Sequence, residues 1–542
     1  MLVKSGSVMK RTMLLALMLG VSNFMTSLAV AAVSENSFMF VENQVDNEYW
    51  VAPRKLDPRF SGANVFTKYP SRQDSLGYMQ QSLNGMTTAQ YLDLWLENSP
   101  INAPFVGNRC RNGSTNCPSS GVWVADHINS KGAFKIRQTS TVGESGNTRA
   151  IWSDNFYEYL RGLSINAPVT LQYNACRTRN EYNPSLGQTC ASVGGTVRED
   201  QFTISKTTHV NLESTNALQE LFIDSNGNPT IGLGSQLCTV GMVSNVNGAI
   251  CKLVSYKLTG NEIIPQVDMY MKVNPIIGFT PSASSIRISG GQSGDAWYNY
   301  STTTTDARNI IKPGGDGVYV FFSNVFLKDL ITRGVDLTNS KDFFTFSFDS
   351  SVNPQSGFYE FSPSNTILLR PRDYGISIVD KDLVLNPTRT GKVGNTEPPI
   401  EFEYIVSTSG PRQANEITAQ VTGPVHRSNR GVNYCLFSSP DNKIQVPFSA
   451  FLSYVDATGR TIKERNSCGD EPMDILPARW EETPWSNAPQ EGSFFRTHLK
   501  LTFPMNESSS LFSLSGEDWI GVVRAQGEVR VKAIWRGNDV LP

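Results

Sequence analysis

Residues 527–535 read GEVRVKAIW, with charged and apolar residues alternating from Glu528 to Ala533. Glu528, Arg530 and Lys532 take one face; Val529, Val531, Ala533 and Trp535 take the other. Period-two alternation specifies a strand with one apolar face, and that face needs a sheet to bury it. So well-specified a strand almost at the C-terminus makes the fold turn on one point: whether the sheet it joins is complete.

Upstream the same pattern recurs. VTLQYNAC (169–176), GDGVYVFFS (315–323), DFFTFSF (342–348), TILLRP (366–371), IEFEYIVS (400–407) and EITAQVTG (416–423) are β-rich runs bounded by Gly, Pro, Asn and Asp. The 43 glycines and 29 prolines belong to the turns. Helical signals are few. Ser153–Leu163 carries a cap, Ser153, and helical spacing; Thr87–Trp95 fits a short amphipathic helix capped by Thr87 or Thr88; Asn324–Thr332 is a third candidate and Asn216–Phe222 a weaker fourth. Many short strands with little helix between them predict a mainly β protein of sandwich type rather than a parallel α/β sheet. At 542 residues the chain exceeds one simple core, so two or three domains are expected. The clearest boundary is Pro371-Arg372-Asp373-Tyr374. From there to the end run about 170 residues, the size of one sandwich domain.

The N-terminus reads as a secretory signal over residues 1–31. Lys4, Lys10 and Arg11 precede the apolar run Met13–Val21, and Ala29-Val30-Ala31 offers a cleavage site. An exported chain fits its eight cysteines: 110, 117, 176, 190, 238, 251, 435 and 468. Eight cysteines allow about 105 pairings. Proximity favours Cys110–Cys117, Cys176–Cys190, Cys238–Cys251 and Cys435–Cys468. The competing metal reading lacks a C-x-x-C, and no histidine (127, 209, 426, 498) stands at ligand spacing from a cysteine. A net charge of −2, with no basic stripe beyond the N-terminus, argues against nucleic acid as a partner.

Motifs of catalysis are sparse. GGQSGD (290–295) resembles a serine-protease nucleophile loop, but Gln292 stands where that loop needs an aspartate, and the turn reading is better. DSNGNPTIG (224–232) spaces Asp224, Asn226 and Asn228 like a calcium loop, yet Pro229 and Ser235 occupy the glycine and glutamate positions. A turn at Asn226-Gly227 explains it better. KPGGDG (312–317) is likewise a turn. Glu481 and Glu482, adjacent on a strand, face opposite ways and make a poor glycosidase pair. No cofactor or metal is implied. Trp123, Trp152, Trp297, Tyr298 and Tyr300 could stack on sugar rings, although such aromatics are more often core. DAWYNYS (295–301) mixes rings with polar residues. It is the best of these as a surface loop, so Trp297, Tyr298 and Tyr300 are receptor candidates.

A set of stretches, in order, resembles a known family. They are FVEN (40–43), LDPRFSGAN (56–64), SLGY (75–78), DLWLENSP (93–100), YNAC (173–176), VYVFFS (318–323), FYEFSPSNT (358–366) and PRDYGISI (371–378). YIVSTSG (404–410), VTGP (421–424), YCLFSS (434–439), TPW (483–485) and GEVRVKAIWR (527–536) follow. Across nearly all of the mature chain these resemble the tip adhesins of the Escherichia common pilus, or Mat fimbriae. The tail Gly537–Pro542 extends beyond the family pattern.

The resemblance implies an exported fimbrial subunit that attaches to host cells through a surface receptor, with a glycan as the candidate. It implies a periplasmic chaperone, an outer-membrane usher and the major pilin as partners. It also implies a C-terminal immunoglobulin-like pilin sandwich over 371–542, lacking its last strand and completed by donor-strand complementation. Val529, Val531, Ala533 and Trp535 would then edge the assembly groove. Residues 32–370 would form the adhesive region, as one body or two subdomains. Ala32–Phe40 could act as a donor strand in a self-polymer. Two other readings stay open: a structural pilus subunit without a receptor site, and an exported polysaccharide-active enzyme.

Overall fold

The computed structural model describes residues 34–536, apart from 55–58, 66–67, 70–71, 74–75, 84–88, 111–116, 139–146, 233, 262, 264–265, 301–304, 336, 338–339, 350–357 and 486–491. Residues 1–31, read from the sequence as a secretory signal, and the tail Gly537–Pro542 lie outside the described residues.

The N-terminal part is built from β1 (Ser34–Asn43), β2 (Glu48–Pro53), β3 (Gln90–Leu96), β4 (Val122–Ile128), β5 (Gly132–Gln138), the helix α1 (Asp154–Gly162), β6 (Pro168–Thr178) and β7 (Thr196–Glu213). Ser153 caps α1, its hydroxyl accepting the Phe156 N–H, and Phe156, Tyr157 and Leu160 bury one face of the helix. β1 is an interior strand, antiparallel to β2 and parallel to β7. Phe38 and Phe40 point into an N-terminal core with Phe60, Phe105, Trp152 and Tyr173, whereas Met39 and Val41 enter a second core. One strand thus serves two cores. This corrects the expectation that Ala32–Phe40 is a donor strand. Ser34–Ser37 pair with β7, Phe38–Phe40 pair on both edges, and Phe38 and Phe40 are fully buried, so freeing the segment would expose two rings and unpair its backbone polar groups.

β3 corrects a second expectation. The predicted helix Thr87–Trp95 is, from Gln90 onward, a strand between β5 and β6, with Gln90, Leu92, Leu94 and Leu96 buried on one face and Tyr91 and Trp95 half-buried on the other. Tertiary pairing overrides the local spacing.

The second core is framed by β8 (Leu218–Ile223), β9 (Val246–Gly260), β10 (Gly317–Ser323), the helix α2 (Asn324–Arg333), β11 (Tyr359–Phe361) and β12 (Thr366–Pro371). α2 matches its predicted span closely, capped by Ser323 and stopped by Gly334 in the left-handed region. Asn216–Phe222 is not helical. All six residues of β8 are buried, in a strand parallel to β12.

The C-terminal part is a sandwich. One sheet contains β13 (Gly375–Asp380), β14 (Ile400–Gly410) and, after the others in sequence, Ser493–Phe503. The facing layer contains β15 (Glu416–Thr422), β16 (Asn433–Ser438) and the terminal strand, which pairs with β15. In chain order Ser493–Phe503 is β17 and the terminal strand Glu528–Ile534 is β18. Val406, Ile417, Ala419, Val446, Leu452 and Leu499 lie at the centre of a third core.

The second and third parts meet over a packed seam. Phe222 packs against Phe494 with ring centroids 4.8 Å apart and planes tilted by 54°, Trp485 joins them, and the Arg372 guanidinium lies 4.6 Å from the Trp485 ring. The side chain of Glu220, fully enclosed in this seam, accepts from the Ser377 hydroxyl, and burial raises its pKa.

Four disulfides pair Cys110 with Cys117, Cys176 with Cys190, Cys238 with Cys251 and Cys435 with Cys468. Asp224 lies in a turn, accepting the Asn226 and Asn228 N–H groups on one carboxylate oxygen, while its other oxygen faces Arg372.

Candidate assembly groove and receptor face

β18 pairs with β15 in a register that sets Val529 opposite Val421, Val531 opposite Ala419 and Ala533 opposite Ile417. These six side chains share one face of one ladder, yet they are not equally covered. Ile417, Ala419 and Val421 are buried, whereas Val529, Val531 and Ala533 are only half-buried. A closed sandwich would cover both strands alike. Among the described residues no strand pairs with the other edge of β18.

Beside that edge runs a cavity of about 550 Å³. Val529 and Val421 form one side, and Ile378, Ile400, Phe402 and Phe503 the other. Ile400, Phe402 and Tyr404 alternate along β14, and the Phe402 and Tyr404 rings lie nearly parallel, 6.5 Å apart. Their period-two spacing was visible in IEFEYIVS; that they stand at the margin of the third core and line a groove was not. Beyond the groove, Tyr374 meets the Trp535 ring edge-on at 5.6 Å, and the indole N–H donates to the Arg412 carbonyl at 3.0 Å. Trp535 is therefore anchored beyond the groove, while Val529 lines it.

The groove also holds polar groups. Burial, with Asp380 close by, pushes the Tyr404 hydroxyl up to about 12. Asp380 Oδ2 is buried without a hydrogen-bond donor, with the Arg389 guanidinium 3.9 Å away.

The aromatic receptor candidates do not converge. Tyr300 is a correction: it is 4% exposed, packs in the second core, and its hydroxyl donates to the Pro281 carbonyl. Trp297 and Tyr298 are half-buried, Trp297 against Phe321. Trp123 and Trp152 are core residues. Glu481 and Glu482 are exposed on an edge strand, Glu481 opposite Arg496 and Glu482 accepting from Ser493. Among the described residues no group of three or more His, Cys, Asp or Glu side chains could hold a metal.

The C-terminal sandwich thus leaves one strand edge open beside a half-covered core, and two large β-cores precede it in the chain. Models of the E. coli common pilus adhesin EcpD match in three pieces: its N-terminal domain at residues 25–210, its middle domain at 214–366 and its C-terminal domain at 373–533. The fimbria adhesin EcpD of Escherichia coli O157:H7 is 36% identical over 512 residues, 92% of this chain and 93% of that protein. That of Escherichia coli strain K12 is 35% identical over the same shares. The chain belongs to the E. coli common pilus adhesin family. As a fimbria adhesin it is exported and acts at the cell surface. A solved chaperone–tip adhesion subunit complex of Acinetobacter baumannii Csu pili covers 60% of this chain and 99% of that one at 8% identity, with a TM-score of 0.19. That likeness is too slight to bear on the fold.

Proposed function

We propose that residues 371–542 are a pilin-type sandwich lacking its last strand, and that a partner's strand completes it. The periplasmic chaperone supplies that strand first. At the outer-membrane usher, the N-terminal extension of another subunit, the major pilin, replaces it. Residues 32–370 then carry the host-cell receptor site, since the C-terminal groove is committed to assembly. The observation that carries this reading is the unequal cover across the β15–β18 pair. An inserted strand would hydrogen-bond the free edge of β18 and bury Val529, Val531 and Ala533 to the depth of their partners. Left empty, the edge and its apolar neighbours invite aggregation.

The test is periplasmic expression with and without the chaperone, and with a synthetic peptide copying the pilin extension. The expected result is aggregation or degradation alone and a monomeric, heat-resistant species with either addition. A chain that is stable alone and indifferent to both has a complete sandwich, which would overturn the proposal.

A further inference from the structure

The N-terminal part carries a second cavity of about 310 Å³, sharing no lining residue with the groove. Its floor is aromatic. Trp95 on β3 and Phe134 on β5 stack with centroids 6.4 Å apart and planes 25° from parallel. Gly132 stands opposite Trp95 in the ladder; a Cβ there would lie 2.8 Å from the Trp95 Cβ, so only glycine leaves this approach open. His127 on β4 stands opposite Phe134 and lines the same cavity. Polar groups ring the floor. Glu97 accepts from the Trp95 indole N–H at 2.9 Å and from Lys131 Nζ at 2.5 Å. Gln188 overhangs from the opposite wall, its carbonyl accepting the Asn183 N–H at 2.8 Å while its NH₂ group has no bond among the described residues.

That wall is a disulfide loop pinned to the sheet. Cys176 and Cys190 close it, and the buried Asp93 carboxylate braces it by accepting from the Tyr182 hydroxyl, the Cys190 N–H at 2.6 Å and the Lys135 N–H at 2.9 Å. Burial raises the Asp93 pKa, and those bonds oppose the rise. The cavity is therefore held in shape before any ligand arrives, which lowers the entropic cost of binding.

We propose that this cavity is a saccharide-binding site, taking a short neutral sugar whose apolar ring face lies on Trp95. The chemistry is that of a small-ligand site: a rigid aromatic surface, with a few polar groups to fix orientation. Sugar hydroxyls would meet Glu97 and Lys131 as acceptor and donor and the Gln188 amide as a second donor. Lys131 is already paired with Glu97, so it offers no uncompensated cation to an acidic sugar. The volume, at the low end of the roughly 300–1,000 Å³ typical of ligand pockets, limits the occupant to a terminal unit of a larger glycan. The proposal rests on the reading of residues 32–370 as the adhesive region and gives that region its ligand class.

The test uses the full chain saturated with donor-strand peptide. Binding to a panel of neutral and sialylated mono- and disaccharides is read on an array and by tryptophan fluorescence. Trp95 also props the wall, so Trp95→Ala is paired with Glu97→Ala and Gln188→Ala, whose side chains are exposed, and every variant is checked by its melting temperature. The expected result is saturable binding of at least one neutral sugar, weakened tenfold or more in each folded variant, with sialylated sugars excluded. The panel is presented on albumin and in phosphatidylcholine vesicles; binding in either form supports the proposal, and the form that binds identifies a glycoprotein or a glycolipid as the source. No sugar bound by the wild type, or binding unchanged in Glu97→Ala and Gln188→Ala, overturns it. Cell attachment by fimbriae separates the two levels. If deleting residues 32–370 abolishes attachment while the folded pocket variants attach normally, the pocket assignment fails and the adhesive region stands. If that deletion leaves attachment intact, the adhesive-region reading itself fails.

Discussion

Breaking the Cys435–Cys468 bridge tests whether the C-terminal sandwich is held as its geometry implies. The bridge joins β16 to the chain beyond the first sheet's edge, with both sulfurs buried in the third core and the Cys468 N–H donating to Cys435 Sγ at 2.9 Å. It closes a loop with a sequence separation of 33. In the chain-entropy account, restoring that loop's freedom to the unfolded chain costs about 3.7 kcal/mol. For the Cys110–Cys117 bridge, with a separation of 7, the same relation gives about 2.4 kcal/mol. A domain of about 170 residues shifts its melting temperature by about 2–4 °C per kcal/mol, so Cys435→Ala with Cys468→Ala should lower it by about 7–15 °C. Alanine is the right replacement because serine would bury two hydroxyls and confound the entropy with desolvation. The assay is differential scanning calorimetry of the full chain with and without donor-strand peptide, the C-terminal transition being the one the peptide raises. A drop under about 3 °C would refute the reasoning. So would an equal drop in that transition from Cys110→Ala with Cys117→Ala, whose loop lies in another core.

Two further outcomes follow from packing and charge. Phe222→Ala removes a fully buried ring from the seam between the second and third parts; a loss of about 3–5 kcal/mol is expected, read as separation of their calorimetric transitions and new protease cleavage near residues 371–375. A single unchanged transition would mean the seam carries little. Burial raises Glu48 from 4.5 to about 7, opposed by the Tyr359 hydroxyl and aided by the Asp46 charge. The folded state thus holds this proton more tightly than the unfolded one. That contribution to stability is complete below about pH 4.5 and is lost as the pH rises through about 7. Glu48→Gln should therefore raise the melting temperature at pH 8, leave it nearly unchanged at pH 4, and flatten the fall between; an unaltered profile would place the titration elsewhere.

How much of this was legible beforehand depended on whether a residue's surroundings were written in its neighbours. Period two in GEVRVKAIW and IEFEYIVS identified strands and their apolar faces, because alternation is set by the strand itself. The cap at Ser153 likewise identified a helix from local chemistry. Leu218–Ile223 misled because both its faces are covered, where burial erases the period, and Gln90–Leu96 because its second face, carrying Tyr91, Asp93 and Trp95, is largely covered too, which leaves a short run open to either reading. Tyr300 misled for the opposite reason, since polar sequence neighbours concealed a side chain turned inward. The two functional features lay deeper still. Alternation tells which face of β18 is apolar, but an unpaired edge is a property of the whole sheet. Only the contrast between buried Val421 and half-buried Val529, facing each other in one register, exposes it. Trp95, Phe134 and Gln188 come from two strands and a disulfide loop that nothing in their spacing connects. The β3–β5 register and the Asp93 brace bring them together, which is why the sequence drew attention to aromatic residues in the DAWYNYS loop while the better-built cavity lay among strands it could not yet pair.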